Sequence, residues 1–201
     1  MSSVMLAPQG VYETVQSEGH LSGQTMTFIR LAGCSVGCEM CDTDYKFERK
    51  AEVHDVVAEV EAKTSESIRD RWAWLSGGEP ADQNIAPLVR MLKRKGFSVA
   101  VATSGTKKIT VPVDWLSVSP HGQRTSWLTI RAGNEIKLVP GLNGLDAGTW
   151  IAENDATIDF WLRYLQPMDG DPDGMAKCLE LHSRYPHWGL SLQAHKIWGL
   201  G

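Results

Sequence analysis

Three of this chain's four cysteines, Cys34, Cys38 and Cys41, fall within eight residues of the stretch LAGCSVGCEMCDTDYKFE (31–48). The spacing C-x3-C-x2-C lets one loop wrap three thiolates around one small object. A structural zinc site takes four ligands, so zinc would need Cys178 or a histidine from elsewhere in the chain. A disulfide, or a Cys38–Cys41 redox pair, would leave one thiol idle. Iron–sulfur clusters are held by cysteine thiolates, usually four for a [4Fe–4S] cluster. With three, one iron keeps a position open for a ligand with N and O donors, as catalytic metal sites do.

Such a loop must be held by a scaffold, and the chain is long enough to build one. Its 201 residues suit one domain with a sizeable core, and no linker, repeat or low-complexity stretch interrupts residues 1–201. A net charge of −4 gives no general attraction to nucleic acid or to an anionic membrane. The start MSSVMLAPQG lacks a basic segment followed by an apolar run, and no apolar window reaches the ~18 residues of a membrane span. A cytoplasmic protein is expected, with no nucleic-acid or membrane partner. In a reducing cytosol, clustered thiols point to metal or redox chemistry rather than to disulfides.

Apolar runs of strand length recur at TFIRLAG (27–33), WAWLSGG (72–78), SVAVATSG (98–105), DWLSVSP (114–120), EIKLVP (135–140), DFWLRYLQP (159–167) and GLSLQAHKIW (189–198). Several are nearly continuous, as in strands buried on both faces of a parallel sheet. Helical patterns lie between them. One carries Val53, Val56, Val57 and Val60 on one side, and a second carries Ile85, Leu88, Val89 and Leu92 and ends at Gly96. A third begins near Pro172, with Met175, Leu179 and His182 in register. Alternating strands and helices predict an α/β fold with about six parallel strands. That is too few for a closed eight-stranded barrel, so an incomplete, open β/α barrel is expected. Turn residues cluster after the strands, where ligand sites form in α/β folds, and the cysteines follow the first of these strands.

The cysteine loop after a first strand, followed by SGGEP (76–80) after the next, resembles the radical S-adenosylmethionine (SAM) superfamily. Adjacent glycines let backbone approach a ligand closely. A finer likeness covers nearly the whole chain. YETVQSEG (12–19), TFIRLAGC (27–34), CDTDY (41–45), SGGEP, TSGT (103–106), DWLSVSP, EIKLV, YLQPMDG (164–170) and SLQAHKIWGLG (191–201) are together similar to the 7-carboxy-7-deazaguanine synthase family of deazapurine (queuosine-type) biosynthesis. The resemblance implies a [4Fe–4S] cluster on Cys34, Cys38 and Cys41, with SAM on its open iron. A radical derived from SAM would abstract hydrogen from C6 of 6-carboxy-5,6,7,8-tetrahydropterin. The ring would then contract with loss of ammonia, assisted by Mg2+. A flavodoxin- or ferredoxin-type reductant and a homodimer belong to the same expectation.

The same resemblance assigns residues. Thr43 matches a magnesium-binding threonine, and a hydroxyl oxygen suits that hard cation. Arg30 matches a substrate arginine, whose guanidinium would clamp a carboxylate. Val15, Gln16, Ser17 and Glu18 would read the pterin edge, although Ser17 stands where the family usually has glycine. Ser76, His195 and the terminal carboxylate of Gly201 would also face substrate. The SAM side would comprise Met40, Asp42, Gly78, Glu79, Ser104, Ser119, Pro120, His121, Gln166, Pro167 and Met168. Ser104 departs from the family's asparagine and His121 from its lysine. Cys178 reads as a small buried hydrophobe. The tryptophans read as core or dimer contacts. A glycyl-radical activase would share the cysteine loop but not the CDT and SLQAHK segments. A simple iron–sulfur electron carrier would not need SGGEP.

Overall fold

The computed structural model describes residues 2–38, 41, 43–121 and 128–199. Among these, nine strands form one open sheet in the order β3-β1-β2-β4-β5-β6-β7-β8-β9. The strands are β1 (Ser3–Val15), β2 (Thr25–Leu31), β3 (Arg49–Glu52), β4 (Trp72–Gly77), β5 (Ser98–Thr103), β6 (Trp115–Val118), β7 (Ala132–Leu138), β8 (Asp159–Leu165) and β9 (Gly189–Leu190). β1 runs antiparallel to both β2 and β3. Every pairing from β2 to β9 is parallel. The open α/β barrel is therefore present, with six parallel strands of four residues or more and a two-residue seventh, β9.

Three strands differ from the sequence reading: β1 and β3, which it did not place, and β9, which it made too long. GLSLQAHKIW gives only the two residues of β9 and then a short helix, α5 (Ala194–Trp198). The 13-residue β1 lies where no strand is read, because Pro8 and Gly10 punctuate it. The register with β2 shifts between Leu6 and Val11, and Gly10 sits at φ 55°. This bulge takes up a proline that cannot donate to the ladder.

The helices α1 (Val53–Lys63), α2 (Ala86–Arg94), α3 (Ala147–Asn154) and α4 (Gly174–Arg184) supply apolar partners for the strands. α1 and α2 bury the valines and leucines their spacing predicts, against Ile29, Leu31, Leu75, Val99 and Val101 of the sheet. α3 begins at Asp146, whose carboxylate accepts the Thr149 N–H at 3.1 Å, and it buries Trp150 and Ile151. α4 corrects its predicted face. Met175 and Leu179 are exposed, while Gly174 and Cys178 are buried. A β-carbon at Gly174 would already stand 3.3 Å from the Met168 backbone, so small residues form the packed side. Burial pushes the Cys178 thiol up to about 11, with Asp171 adding to the shift. Of the tryptophans, residues 74, 115, 150 and 188 are core, whereas Trp161 is 76% exposed. No helix among the described residues is long and apolar enough to cross a membrane.

The inner face of the sheet changes character along the strands. Leu21, Met26, Phe28, Trp74, Ala100 and Trp115 form an apolar cluster at the start of the strands. Two residues further along β2, β4 and β6, on the same face, stand Arg30, Ser76 and Ser117. β7 contributes Glu135 and Lys137, and β8 leads into Gln166. The aromatic floor and the polar layer above it define where a ligand can be held.

Candidate active site at the carboxyl rim

The cysteine loop leaves the carboxyl end of β2 and returns at β3. The Gly33 N–H donates to the Tyr45 carbonyl at 2.8 Å and closes the loop at its base. Ser35 anchors its first turn, donating through N–H (2.7 Å) and Oγ (2.8 Å) to the Asp82 carboxylate, which also pairs with Lys107. Cys34 and Cys38 are half-buried, Cys41 is exposed, and all are free thiols. Burial raises the Cys38 thiol against a hydrogen bond from Asn143, and the nearby Cys41 and Cys34 raise it further. Three sulfurs close enough to repel one another when ionised suit a positively charged core. No three His, Cys, Asp or Glu side chains among the described residues converge on a single ion position. Cluster thiolates each take a different iron and need no such convergence. The residues present therefore fit the group. Thr43 is half-buried beside this loop, and its carbonyl lies 3.7 Å from Cys41 Sγ. Met40, Asp42 and Gly201 lie outside the described residues.

The glycine-rich segment after β4 is built against the root of that loop. The Gly78 N–H donates to the Leu31 carbonyl (2.8 Å) and the Glu79 N–H to the Gly33 carbonyl (2.9 Å). A β-carbon on Gly77 would meet Leu31 O at 2.5 Å, and one on Gly78 would meet Gly33 O at 1.6 Å. Both glycines thus allow backbone-to-backbone contact within the protein. Glu79 is 2% exposed, and its carboxylate is fully engaged. Oε1 accepts from Ala81 N (3.0 Å) and Thr103 Oγ1 (2.6 Å); Oε2 accepts from Ser104 N (2.8 Å) and Ser104 Oγ (2.5 Å). Ser119 donates through N–H to the Thr103 carbonyl (2.8 Å) and through Oγ to the Lys137 carbonyl (3.2 Å). Pro120 is buried, and His121 Nδ1 lies 3.0 Å from Cys38 Sγ. Pro167 and Met168 are half-buried after β8.

Within the barrel, Arg30 and Ser76 occupy paired positions on β2 and β4. Arg30 donates through Nε to Tyr12 Oη (2.8 Å) and through a terminal nitrogen to Ser76 Oγ (3.0 Å). It packs over Phe28 and has no acidic partner among the described residues. A half-buried guanidinium with unused donors has the chemistry to receive a carboxylate. Opposite the aromatic floor, Glu18 pairs with Lys137, whose side chain is only 9% exposed. Burial alone would raise the Glu18 carboxyl. The Lys137 charge, with hydrogen bonds from Lys137, Gln166 and Gln193, outweighs it and holds the group at about 2. Burial lowers Lys137, but Glu18 and Glu135 prevail and raise it. Glu135 is 1% exposed and accepts from Ser117 Oγ (2.7 Å) and the His20 N–H (2.9 Å).

Val15 ends β1, and the turn after it is self-braced. Gln16 Oε1 accepts the N–H groups of Ser17 (2.8 Å) and Glu18 (3.1 Å). Ser17 ties this turn to the chain's end, its Oγ 2.7 Å from His195 Nδ1 and its carbonyl accepting the Ala194 N–H at 3.0 Å. Gln166 accepts from Ser191 Oγ at 2.9 Å. The sequence-predicted residues thus meet in pairs: Arg30 with Ser76, Ser17 with His195, Ser104 with Glu79, and Cys38 with His121. Tyr12, Thr103, Glu135, Lys137 and Gln193 belong to the candidate site and were missed by sequence reasoning. For Thr103, Glu135 and Lys137 the signal was the switch from apolar to polar at inward strand positions.

An open β/α barrel with a three-cysteine loop after its first parallel strand and a glycine-rich segment after the next defines a radical SAM enzyme. Comparison with known proteins narrows the class. No protein-family model matches the chain. It is 34% identical to the 7-carboxy-7-deazaguanine synthase of Caulobacter vibrioides, across 94% of this chain and 96% of that protein. It is 32% identical to the enzyme of the same name from Bradyrhizobium diazoefficiens, across 96% and 98%. The crystal structure of QueE from Escherichia coli superposes with a TM-score of 0.76 at 26% identity, covering 94% of this chain and 93% of that one. The chain belongs to the 7-carboxy-7-deazaguanine synthase family.

Proposed function

We propose that the chain converts 6-carboxy-5,6,7,8-tetrahydropterin to 7-carboxy-7-deazaguanine, a ring contraction with loss of ammonia, using a [4Fe–4S] cluster, SAM and Mg2+. The observation that carries this reading is the polar layer at the carboxyl rim. Arg30, without an acidic partner among the described residues, and the ionised Glu18 held by Lys137 stand above an aromatic floor. Membership of the synthase family supports it. Cys34, Cys38 and Cys41 would hold the cluster. When bound, the cluster and SAM supply reductive radical chemistry.

The chain's own residues bind and orient. Arg30 clamps the substrate carboxylate, with Ser76 fixing the guanidinium plane. Glu18, an acceptor-only group when ionised, takes N–H groups from the amino-pyrimidinone edge. Val15, Gln16 and Ser17 shape the turn that presents Glu18. His195, fixed by Ser17, closes the substrate side, and Gly201 belongs to the same side. The Thr43 hydroxyl would be a hard-oxygen ligand for Mg2+, which when bound would supply positive charge beside the substrate carboxylate. Met40, Asp42, Gly78, Glu79, Ser104, Ser119, Pro120, His121, Gln166, Pro167 and Met168 form the SAM side. For Gly78 and Glu79 the contribution is seating the loop, since their backbone N–H groups and the carboxylate are already engaged. Residues 1–201 act as one radical SAM domain. It works in the cytoplasm as a homodimer with a flavodoxin- or ferredoxin-type reductant.

Anaerobically reconstituted protein given the carboxytetrahydropterin, SAM, Mg2+ and dithionite should yield the deazaguanine by mass. SAM cleavage without consumption of the pterin would overturn the substrate, and a protein that takes up zinc but no iron would overturn the cluster. In Thr43→Ala, a weaker magnesium response with unchanged iron content supports the metal role; an unchanged magnesium response removes it.

A further inference from the structure

A side chain from a neighbouring loop reaches one of the three sulfurs. His121, three residues beyond β6, places Nδ1 3.0 Å from Cys38 Sγ. Cys34 and Cys41 accept from no side chain among the described residues.

We propose that His121 is a positioning residue that donates an N–H···S hydrogen bond to the Cys38 thiolate, raising the reduction potential of the bound cluster. The proposal rests on the reading that the three cysteines hold that cluster. It assigns the Nδ1–H tautomer to His121. A donor aimed at a ligating sulfur stabilises the more negative, reduced cluster more than the oxidised one, and such bonds tune iron–sulfur potentials.

The test uses the reconstituted full-length protein, without SAM. Iron content and the electron paramagnetic resonance signal after dithionite reduction report the cluster itself, and their absence in the wild-type protein would overturn that reading instead. With the cluster loaded, potentiometric titration should give a lower midpoint for His121→Ala than for wild type. The loss should cost about tenfold in the reduction equilibrium, ~59 mV for a one-electron couple. Pulsed resonance on the reduced wild-type cluster should also show a weak nitrogen coupling that changes when histidine is 15N-labelled. That measurement decides the His121 contact even if a variant fails to load. A midpoint unchanged in loaded His121→Ala, or no coupling from labelled histidine, would overturn the proposal.

Discussion

Gly78 lies directly on Gly33: a β-carbon on Gly78 would stand 1.6 Å from the Gly33 carbonyl oxygen. That oxygen also accepts the Glu79 N–H, and Gly33 immediately precedes Cys34. The glycine-rich segment therefore seats the cysteine loop before any ligand arrives. Gly78→Ala must push the two backbones apart, since neither is a flexible side chain. Overpacking of this kind costs ~1–3 kcal/mol or more. Thermal unfolding should show a loss of several degrees, at about 2–4 °C per kcal/mol for a chain of this size. Iron uptake should fall with it. A variant with wild-type Tm and full iron content would show that the seating is unimportant.

Glu79→Gln tests the bracket between the ends of β4 and β5. The carboxylate accepts two backbone N–H groups, Ala81 on one oxygen and Ser104 on the other. A glutamine must turn its NH2 toward one of them in either orientation. The hydroxyls of Thr103 and Ser104 can rotate to accept, but a backbone N–H cannot. One buried donor is left unsatisfied, at a cost of ~1–3 kcal/mol. Denaturant melts should show this loss with an unchanged slope, whereas wild-type stability would mean that the bracket relaxes freely.

Much of this arrangement is legible in the sequence because strand periodicity and turn chemistry act locally. Six parallel strands, α1 and α2 follow from apolar spacing alone, and the cysteine spacing marks the loop. β1 is hidden because Pro8 and Gly10 are turn residues that here serve a bulge. The packed face of α4 is misread because close approach to Met168 selects small Gly174 and Cys178 over the larger Met175 and Leu179. Lys137 and Glu135 are missed for a different reason. A charged residue in an apolar strand reads as outward-facing until the curvature of the sheet encloses it. The sequence shows SGGEP, but only packing shows that its backbone donors are already taken by Leu31 and Gly33.

The Glu18–Lys137 pair predicts an acid limb of stability. Glu18 falls from its ordinary 4.5 to about 2 in the folded protein, so its contribution is complete above pH 4.5 and is lost as pH falls toward 2. Lys137 moves upward, so its share is complete below its ordinary value of 10.5 and is lost only as pH rises through the raised one. The carboxyl shift corresponds to about 3 kcal/mol. Glu18→Gln should lower stability at neutral pH by up to that amount and flatten the stability loss between pH 4.5 and 2. Urea melts across that range check it, and an acid limb identical in variant and wild type would rule the pair out as its source.

Arg30 gives the sharpest test of the substrate assignment. Its Nε and one terminal nitrogen are committed to Tyr12 and Ser76, which fixes the guanidinium plane and leaves its other donors for a ligand. A lysine carries the same charge but cannot hold a fork between those two hydroxyls. Hydrogen bonds to a charged group are worth ~1.5–3 kcal/mol, a factor of ten or more in binding. Arg30→Lys should therefore raise KM for the carboxytetrahydropterin at least about tenfold, while iron content stays at the wild-type level. A tetrahydropterin lacking the 6-carboxylate supplies the control. Wild type should strongly prefer the carboxylated compound, and Arg30→Lys should lose most of that preference. If both proteins discriminate equally, the carboxylate is held elsewhere, and Arg30 instead braces Tyr12 against β4.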